Sequence, residues 1–184
     1  ALGTGDTLTE TFTVTSTDGT TSSVVVTING TNDAAVISAS TGSVTEDVGV
    51  VGGNIATGGT LTISDADGGE ASFTAQSTVG TYGSFTLATN GAWTYTALNT
   101  NPAIQALGAG DTLTETFTVT SADGTTSSVV VTINGTNDAA VISAGTGSVT
   151  EDIGVVGGNI ATGGTLTISD ADSGEASFTA QITA

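Results

Sequence analysis

A tandem all-β sandwich is the fold class this sequence predicts, and three observations predict it. Residues 1–79 return almost unchanged as residues 106–184, a period of 105 residues, and a unit of that length can hold its own core. Within the unit, Thr, Val, Gly and Ala alternate apolar with polar at period two, as half-buried strands do and helices do not. Clusters of Gly, Asn and Asp separate these runs as turn signals.

The runs predict strands at 34–39 (AAVISA), 42–46 (GSVTE), 59–64 (GTLTIS), 71–77 (ASFTAQS), 82–88 (YGSFTLA), 92–97 (AWTYTA), 112–121 (TLTETFTVTS) and 126–134 (TSSVVVTIN). That many short strands in one unit fit an immunoglobulin-like β-sandwich. Alternation points Leu61 and Ile63, Phe85 and Leu87, Trp93 and Tyr95, Leu113, Phe117 and Val119, and Val129, Val131 and Ile133 into the core. Asn90-Gly91 predicts a type I′ hairpin turn. Asn101-Pro102 ahead of AIQALG predicts an N-cap and first-turn proline opening one helical turn, closed by Gly108.

Composition removes whole classes of function. There is no Lys, Arg, His or Cys against 18 acidic residues, a net charge of −18. Nucleic acid and anionic membranes are therefore excluded as partners, because phosphate neutralisation needs basic side chains. The imidazole base, the Schiff-base lysine, the thiol nucleophile and the disulfide go with them. Since 37% of residues are hydrophobic and only 10% charged, the chain is expected to fold rather than stay disordered. No apolar run is long enough for a membrane helix, and no basic leader segment precedes one, so targeting information is expected to lie outside this stretch.

The acids gather at strand ends: GDTLTE (Asp6, Glu10; Asp111, Glu115), STDG and SADG (Asp18; Asp123), GTND (Asp33; Asp138), VTED (Glu46, Asp47; Glu151, Asp152) and ISDADxGE (Asp65, Asp67, Glu70; Asp170, Asp172, Glu175). Two carboxylates ~5 Å apart repel by roughly 3 kcal/mol at an effective dielectric of 20, so a converging set needs a cation, and the protein supplies none. Ca²⁺ takes about six to eight hard oxygen ligands and suits this chemistry. Zn²⁺ and Cu²⁺ do not, without His or Cys. Glu10 and Glu115 fall in phase with inward Leu and Phe; a pole-facing ligand and a β-bulge are both open for them.

In outline the pattern resembles a cadherin domain: an acid in the first strand (SVTED), DxD after the second (SDAD), an acidic turn (GDTLTE), a TSADG turn and an Asn-Asp linker (GTND). Along all 184 residues it is similar to the VCBS-type tandem repeats of giant, RTX-type bacterial surface adhesins. The resemblance implies Ca²⁺ at junctions between repeats. The first junction would draw on Asp6, Asn32, Asp33, Asp65, Asp67 and Asp123, the second on Glu46, Asp47, Asp111, Asn137, Asp138, Asp170 and Asp172. Glu70 and Glu175 are weaker candidates. The linker reads Asn32-Asp33-Ala34-Ala35, without the further Asn and Pro of cadherin linkers, so three ions per junction are not assumed.

The acids also place the unit boundaries at Gly30-Thr31-Asn32-Asp33 and Gly135-Thr136-Asn137-Asp138. Residues 1–33 then hold the last strands of one repeat, 34–138 a complete sandwich and 139–184 the first strands of another. The expected function is a non-enzymatic extender of an extracellular bacterial adhesin, whose partners are neighbouring repeats of the same chain, with head-to-tail self-association between the two incomplete units also open. The alternative is a repeat that itself binds glycan, ice or another cell. For glycan, Trp93 and Tyr95 would have to be exposed. For ice, the rows Thr112, Thr114, Thr116, Thr118 and Thr120 would have to stack on rows of neighbouring strands; they are read as the solvated face of one strand.

Overall fold

The computed structural model describes residues 1–182; the last two residues of the predicted 139–184 unit lie outside them. An antiparallel hairpin comes first, β1 (Thr7–Thr15) with β2 (Thr21–Asn29). Then follow β3 (Val36–Ile37), β4 (Ser40–Thr45), β5 (Asn54–Thr60), β6 (Ile63–Ser64), β7 (Gln76–Val79), β8 (Gly83–Leu87), β9 (Ala92–Leu98), β10 (Thr112–Thr120) and β11 (Thr126–Asn134). The pair β12 (Val141–Ile142) and β13 (Ile168–Ser169) repeats the pairing of β3 with β6 one period later. The described structure is all-β, as predicted.

Residues 36–134 fold as two facing sheets of order β5-β9-β8-β7 and β10-β11-β4. Their inner faces bury Val44, Ile55, Leu61, Phe73, Phe85, Leu87, Trp93, Tyr95, Phe117, Val119, Val129, Val131 and Ile133 in one cluster. Phe85 stacks on Phe117 at a centroid distance of 4.7 Å and lies 6.0 Å from Trp93. Of the side chains predicted to face inward, Ile63 and Leu113 are only partly buried at its margin. The turn after Asn101 forms as expected: Asn101 Oδ1 accepts the Ala103 N–H at 3.0 Å, the Gln105 N–H reaches the Asn101 carbonyl at 3.0 Å, and Ile104 enters the core.

Two predicted strands change partners part-way, and the two predicted at 34–39 and 42–46 join different sheets. The 34–46 stretch pairs antiparallel with β6 through β3, then crosses to pair in parallel with β11 through β4. The predicted 59–64 strand breaks at Leu61-Thr62, where the Leu61 N–H goes to the Gly91 carbonyl, and its larger part, β5, begins earlier, in NIATGG. That segment lacks alternation because β5 passes hard against Trp93: a Cβ on Gly58 would sit 2.7 Å from the Trp93 carbonyl, and one on Gly59 3.0 Å from the indole. The predicted 71–77 strand bonds to the β10 side first (Thr74 N–H to Thr120 O, Ala122 N–H to Ser72 O), then joins β8 as β7, closing that corner of the sandwich.

Asn90-Gly91 does not make a type I′ turn. Gly91 has φ +85° while Asn90 stays outside the positive-φ region, and the Ala88 N–H to Ala92 O bond closes a three-residue loop with a bulge at Gly91. Asn90 Oδ1 accepts the Ala92 N–H, a bond that holds this alternative.

Glu115 is neither a pole-facing ligand nor a bulge. It sits in unbroken register opposite Val131 and points inward, buried. Its carboxylate accepts the Tyr95 hydroxyl at 2.5 Å and the backbone N–H groups of Thr81 and Tyr82, so it ties the β7–β8 loop to the opposite sheet. Burial and this bond push the Tyr95 phenol well above its ordinary range. The Glu115→Ala variant should lose about 2–4 kcal/mol, since three donors are orphaned, and Tyr95→Phe only about 1–2; chemical denaturation that ranks the two the other way would overturn this assignment.

Candidate metal centre and family

Sequence places the acids at strand ends because loops supply turns and solvent, and the fold then draws several of those ends together. The turn Asp65-Ala66-Asp67-Gly68-Gly69-Glu70 follows β6. Asp65 Oδ1 accepts the Asp67 N–H at 2.8 Å, and Gly69 at φ +88° turns the chain back so that Glu70 rejoins the pair. One carboxylate oxygen from each of Asp65, Asp67 and Glu70 lies within 4.8 Å of the others, the grouping of this kind found among the described residues. Asp67 Oδ2 accepts the Asp33 N–H of the linker at 2.7 Å. Gly3, preceding β1, packs on the same turn: a Cβ there would lie 3.1 Å from Glu70 Oε1.

The remaining residues predicted for this junction stand around that trio rather than in it. Asp123 Oδ2 accepts the Ala35 N–H at 2.9 Å, and hydrogen bonds from Ser121, then Ala35 and Thr125, hold its carboxyl well below the ordinary range. Asp6 accepts the Gly3 N–H at 3.2 Å. The Asn32 side chain donates to the Asp33 carbonyl and stays exposed. Glu70, burdened first by burial and then by Asp67, Asp65, Asp123 and Asp6, has its carboxyl raised above the usual range.

The second junction repeats the frame one period later. The Asp138 N–H reaches Asp172 Oδ2 at 2.8 Å, and the Asp172 N–H reaches Asp170 Oδ1 at 3.0 Å. Asn137 donates to the Asp138 carbonyl. Gly108 lies amid Asp111, Asp172 and Glu175, whose oxygens a Cβ at Gly108 would approach to 3.8, 3.7 and 3.0 Å. From below, Glu46 and Asp47 follow β4. Glu46 is 0% exposed and accepts the Thr136 N–H at 2.9 Å; Asp47, at φ 57°, exchanges bonds with Asn99 at 2.6 and 2.9 Å. Burial, then Asp138, Asp47 and Asp172, raise the Glu46 carboxyl; burial, then Asp47, Asp172 and Asp170, raise that of Asp138.

Five buried oxygens across the two junctions have no hydrogen-bond donor: Asp65 Oδ2, Asp67 Oδ1, Glu70 Oε2, Asp138 Oδ2 and Asp172 Oδ1. Orphaned anionic oxygens grouped this closely suit a hard cation, and the donor set, carboxylate and carbonyl oxygen alone, fits Ca²⁺ and excludes a soft metal's preferences. Glu70 and Glu175, ranked as weaker candidates from sequence, lie beside the DxD carboxylates; the signal was the glycine just before each, Gly69 and Gly174, whose positive φ lets the turn close.

A family model of the bacterial cadherin-like domain matches residues 32–135. The chain belongs to the bacterial cadherin-like domain family. No curated protein matches it. Cadherin-like domains are typically extracellular, non-enzymatic adhesion modules that commonly bind Ca²⁺, and an acidic group able to hold a metal is present at residues 65–70 of this member. No helix among the described residues is long and apolar enough to cross a membrane.

A pH dependence follows for the cadherin-like chain without metal. A carboxyl whose folded pKa is raised contributes stability that is present below its unfolded pKa and lost as pH rises through the folded value. Glu46, Glu70 and Asp138 all carry such shifts, so in chelator the melting temperature should fall as pH rises from the ordinary carboxylate range towards neutrality. Asp123, shifted the other way, contributes stability that is lost only at lower pH. A thermal-melt series in EDTA that climbs across that window would contradict the arrangement.

Proposed function

We propose that this chain is a stretch of a Ca²⁺-stiffened extender, of the VCBS-type repeats found in RTX-type bacterial adhesins, that holds adhesive domains away from the cell surface. The observation that carries the reading is the recurrence, 105 residues apart, of one joint: linker Asp N–H on a DxD carboxylate, with orphaned carboxylate oxygens beside it. On this reading 1–33, 34–138 and 139–184 are parts of three successive repeats. Asp6, Asn32, Asp33, Asp65, Asp67, Glu70 and Asp123 serve one joint, and Glu46, Asp47, Asp111, Asn137, Asp138, Asp170, Asp172 and Glu175 the next. Ca²⁺ would neutralise oxygens contributed from both sides of a short linker, and residues tied to one ion cannot hinge independently. The role is mechanical, and the chain's own residues position the linker and exclude alternative partners.

Calcium withdrawal is the direct test. EDTA should lower the melting temperature at neutral pH and broaden the small-angle scattering distribution of the chain, while calcium restores both; identical profiles with and without calcium would remove the reading. Asp67→Asn and Asp172→Asn together should abolish the calcium response and leave the circular dichroism of the sandwich in place.

One observation favours a second reading. Trp93 is 2% exposed and Tyr95 0%, which removes the aromatic platform for sugar stacking. The threonine rows, however, do stack across strands: outward on the three-stranded sheet, Thr114 lies beside Thr132 and Ser43, and Thr116 beside Val130 and Thr41. This charge-free face, hydroxyl-bearing except at Val130 in those two rows, has a strand spacing of ~4.8 Å and ~6.8 Å along the strand, which approaches the periodicity of an ice plane. Ice-recrystallisation assays decide it: inhibition abolished by Thr116→Tyr supports ice recognition, and no inhibition by the unaltered chain eliminates it.

A further inference from the structure

The pairing of β4 with β11 is parallel, and it joins the strand near the sandwich's entrance to the strand at its exit. Six rungs run from Ser40↔Val129 to Thr45↔Asn134. The chain enters β4 at the pole where Ala35 meets Asp123 and leaves β11 at the opposite pole, where Thr136 meets Glu46. Tension applied along the chain therefore pulls β4 and β11 past each other lengthwise. Every rung is stretched at once, whereas an antiparallel pair pulled from one end would open rung by rung.

At and beyond the last rung the strands are tied three more times. The Glu46 N–H donates to the Asn134 carbonyl at 3.0 Å, the Asn134 side-chain amide to the Val44 carbonyl at 2.9 Å, and the Thr136 N–H to Glu46 Oε1 at 2.9 Å. All three cluster at the exit pole. Glu46 is fully buried there, so water does not compete for its bond to Thr136. Gln105 Nε2 adds a longer contact of 3.4 Å to the other carboxylate oxygen.

We propose that β4 and β11 form a shear clamp that resists extension along the chain, and that Glu46 and Asn134 are its lock at the exit pole. The clamp rests on the extender reading for its use in the cell, but it needs no calcium. Within the sandwich, Glu46 is then first a cross-strand acceptor, and any share it takes in binding an ion comes through its second oxygen.

The chain has no cysteine, so introduced thiols can define the pulling axis on the whole protein. Single-molecule force spectroscopy in EDTA would compare handles at Thr41→Cys and Thr136→Cys, which shear the pair, with handles at Thr41→Cys and Thr126→Cys, which peel it from one end. The shear axis should need severalfold more force at equal loading rate; equal forces on the two axes overturn the clamp. Asn134→Ala and Glu46→Ala should each lower the shear force and leave the peeling force unchanged. Where Glu46→Ala fails to fold, Asn134→Ala alone carries the test of the lock, and an unaltered shear force in it overturns the lock. Because calcium is absent throughout, loss of the calcium response would sink the extender joint without touching this result, and equal forces would sink the clamp without touching the joint.

Discussion

Every carboxylate in this protein has to be satisfied without a side-chain cation, and most of the architecture answers to that constraint. Three solutions appear. Glu115 is buried and met by a phenol and two backbone N–H groups. Asp123 and Asp18 sit in identical Ser-x-Asp-Gly turns that donate hydroxyl and N–H groups, which hold Asp18 down to about 2. The third solution is incomplete: at residues 65–70 and again around Asp138 and Asp172, backbone N–H groups reach one oxygen of a carboxylate and leave another bare. A protein that could have placed a lysine at these joints has none, and it is the joints, not the core, where unmet charge collects.

The twin hairpins separate what sequence dictates from what context decides. β1 and β2 have the same residues as β10 and β11 and pair in the same register. Yet Phe12 is 52% exposed and its counterpart Phe117 4%. The same local pattern and turn chemistry accompany the same hairpin register in both copies, and the apolar face of β10–β11 is buried against the facing sheet with Phe85, Trp93 and Tyr95. That explains why strand positions and inward residues in 82–134 were legible from alternation. It also explains why the partner changes between 34–39 and 42–46 and within 59–64 and 71–77 were not, since alternation records which face is buried and says nothing of which neighbour supplies the hydrogen bonds. The missed β5 is the sharpest case. Gly58 and Gly59 erase the periodic signal because Trp93 occupies the room their side chains would need.

The candidate site was legible in kind and less so in membership. Clustering of acids at strand ends pointed to the poles, and in both copies the second carboxylate of the DxD pair accepts the linker Asp N–H, while the close carboxylate grouping among the described residues is Asp65, Asp67 and Glu70. Glu70 was underweighted because its approach to Asp65 and Asp67 depends on a positive-φ glycine rather than on spacing alone. Asn32 and Asn137 bond to their own linker carbonyls and contribute backbone order there, and Glu46 spends one oxygen on Thr136. Sequence could not divide these labours, because a carboxylate looks the same whether it meets an N–H, a hydroxyl or an ion.

Stiffness at the joints and resistance within the sandwich are separate requirements, and the fold meets them with neighbouring residues. On the extender reading, tension along the chain passes through every joint into the domain, so the strand pair that links entrance to exit must hold it. A parallel pair does this only because the first and last strands run the same way between opposite poles, which follows from the sheet change between β3 and β4. Had the opening segment stayed with β6, the two ends would be joined only through intervening strands. Glu46 stands where the two requirements meet, one oxygen closing β4 on β11 and the other turned towards Gln105, with Asp138 and Asp172 near enough to raise its pKa. On the extender reading, a cation drawn to that pole would meet Glu46 through its second oxygen and leave the Thr136 bond, and with it the closure of β4 on β11, in place.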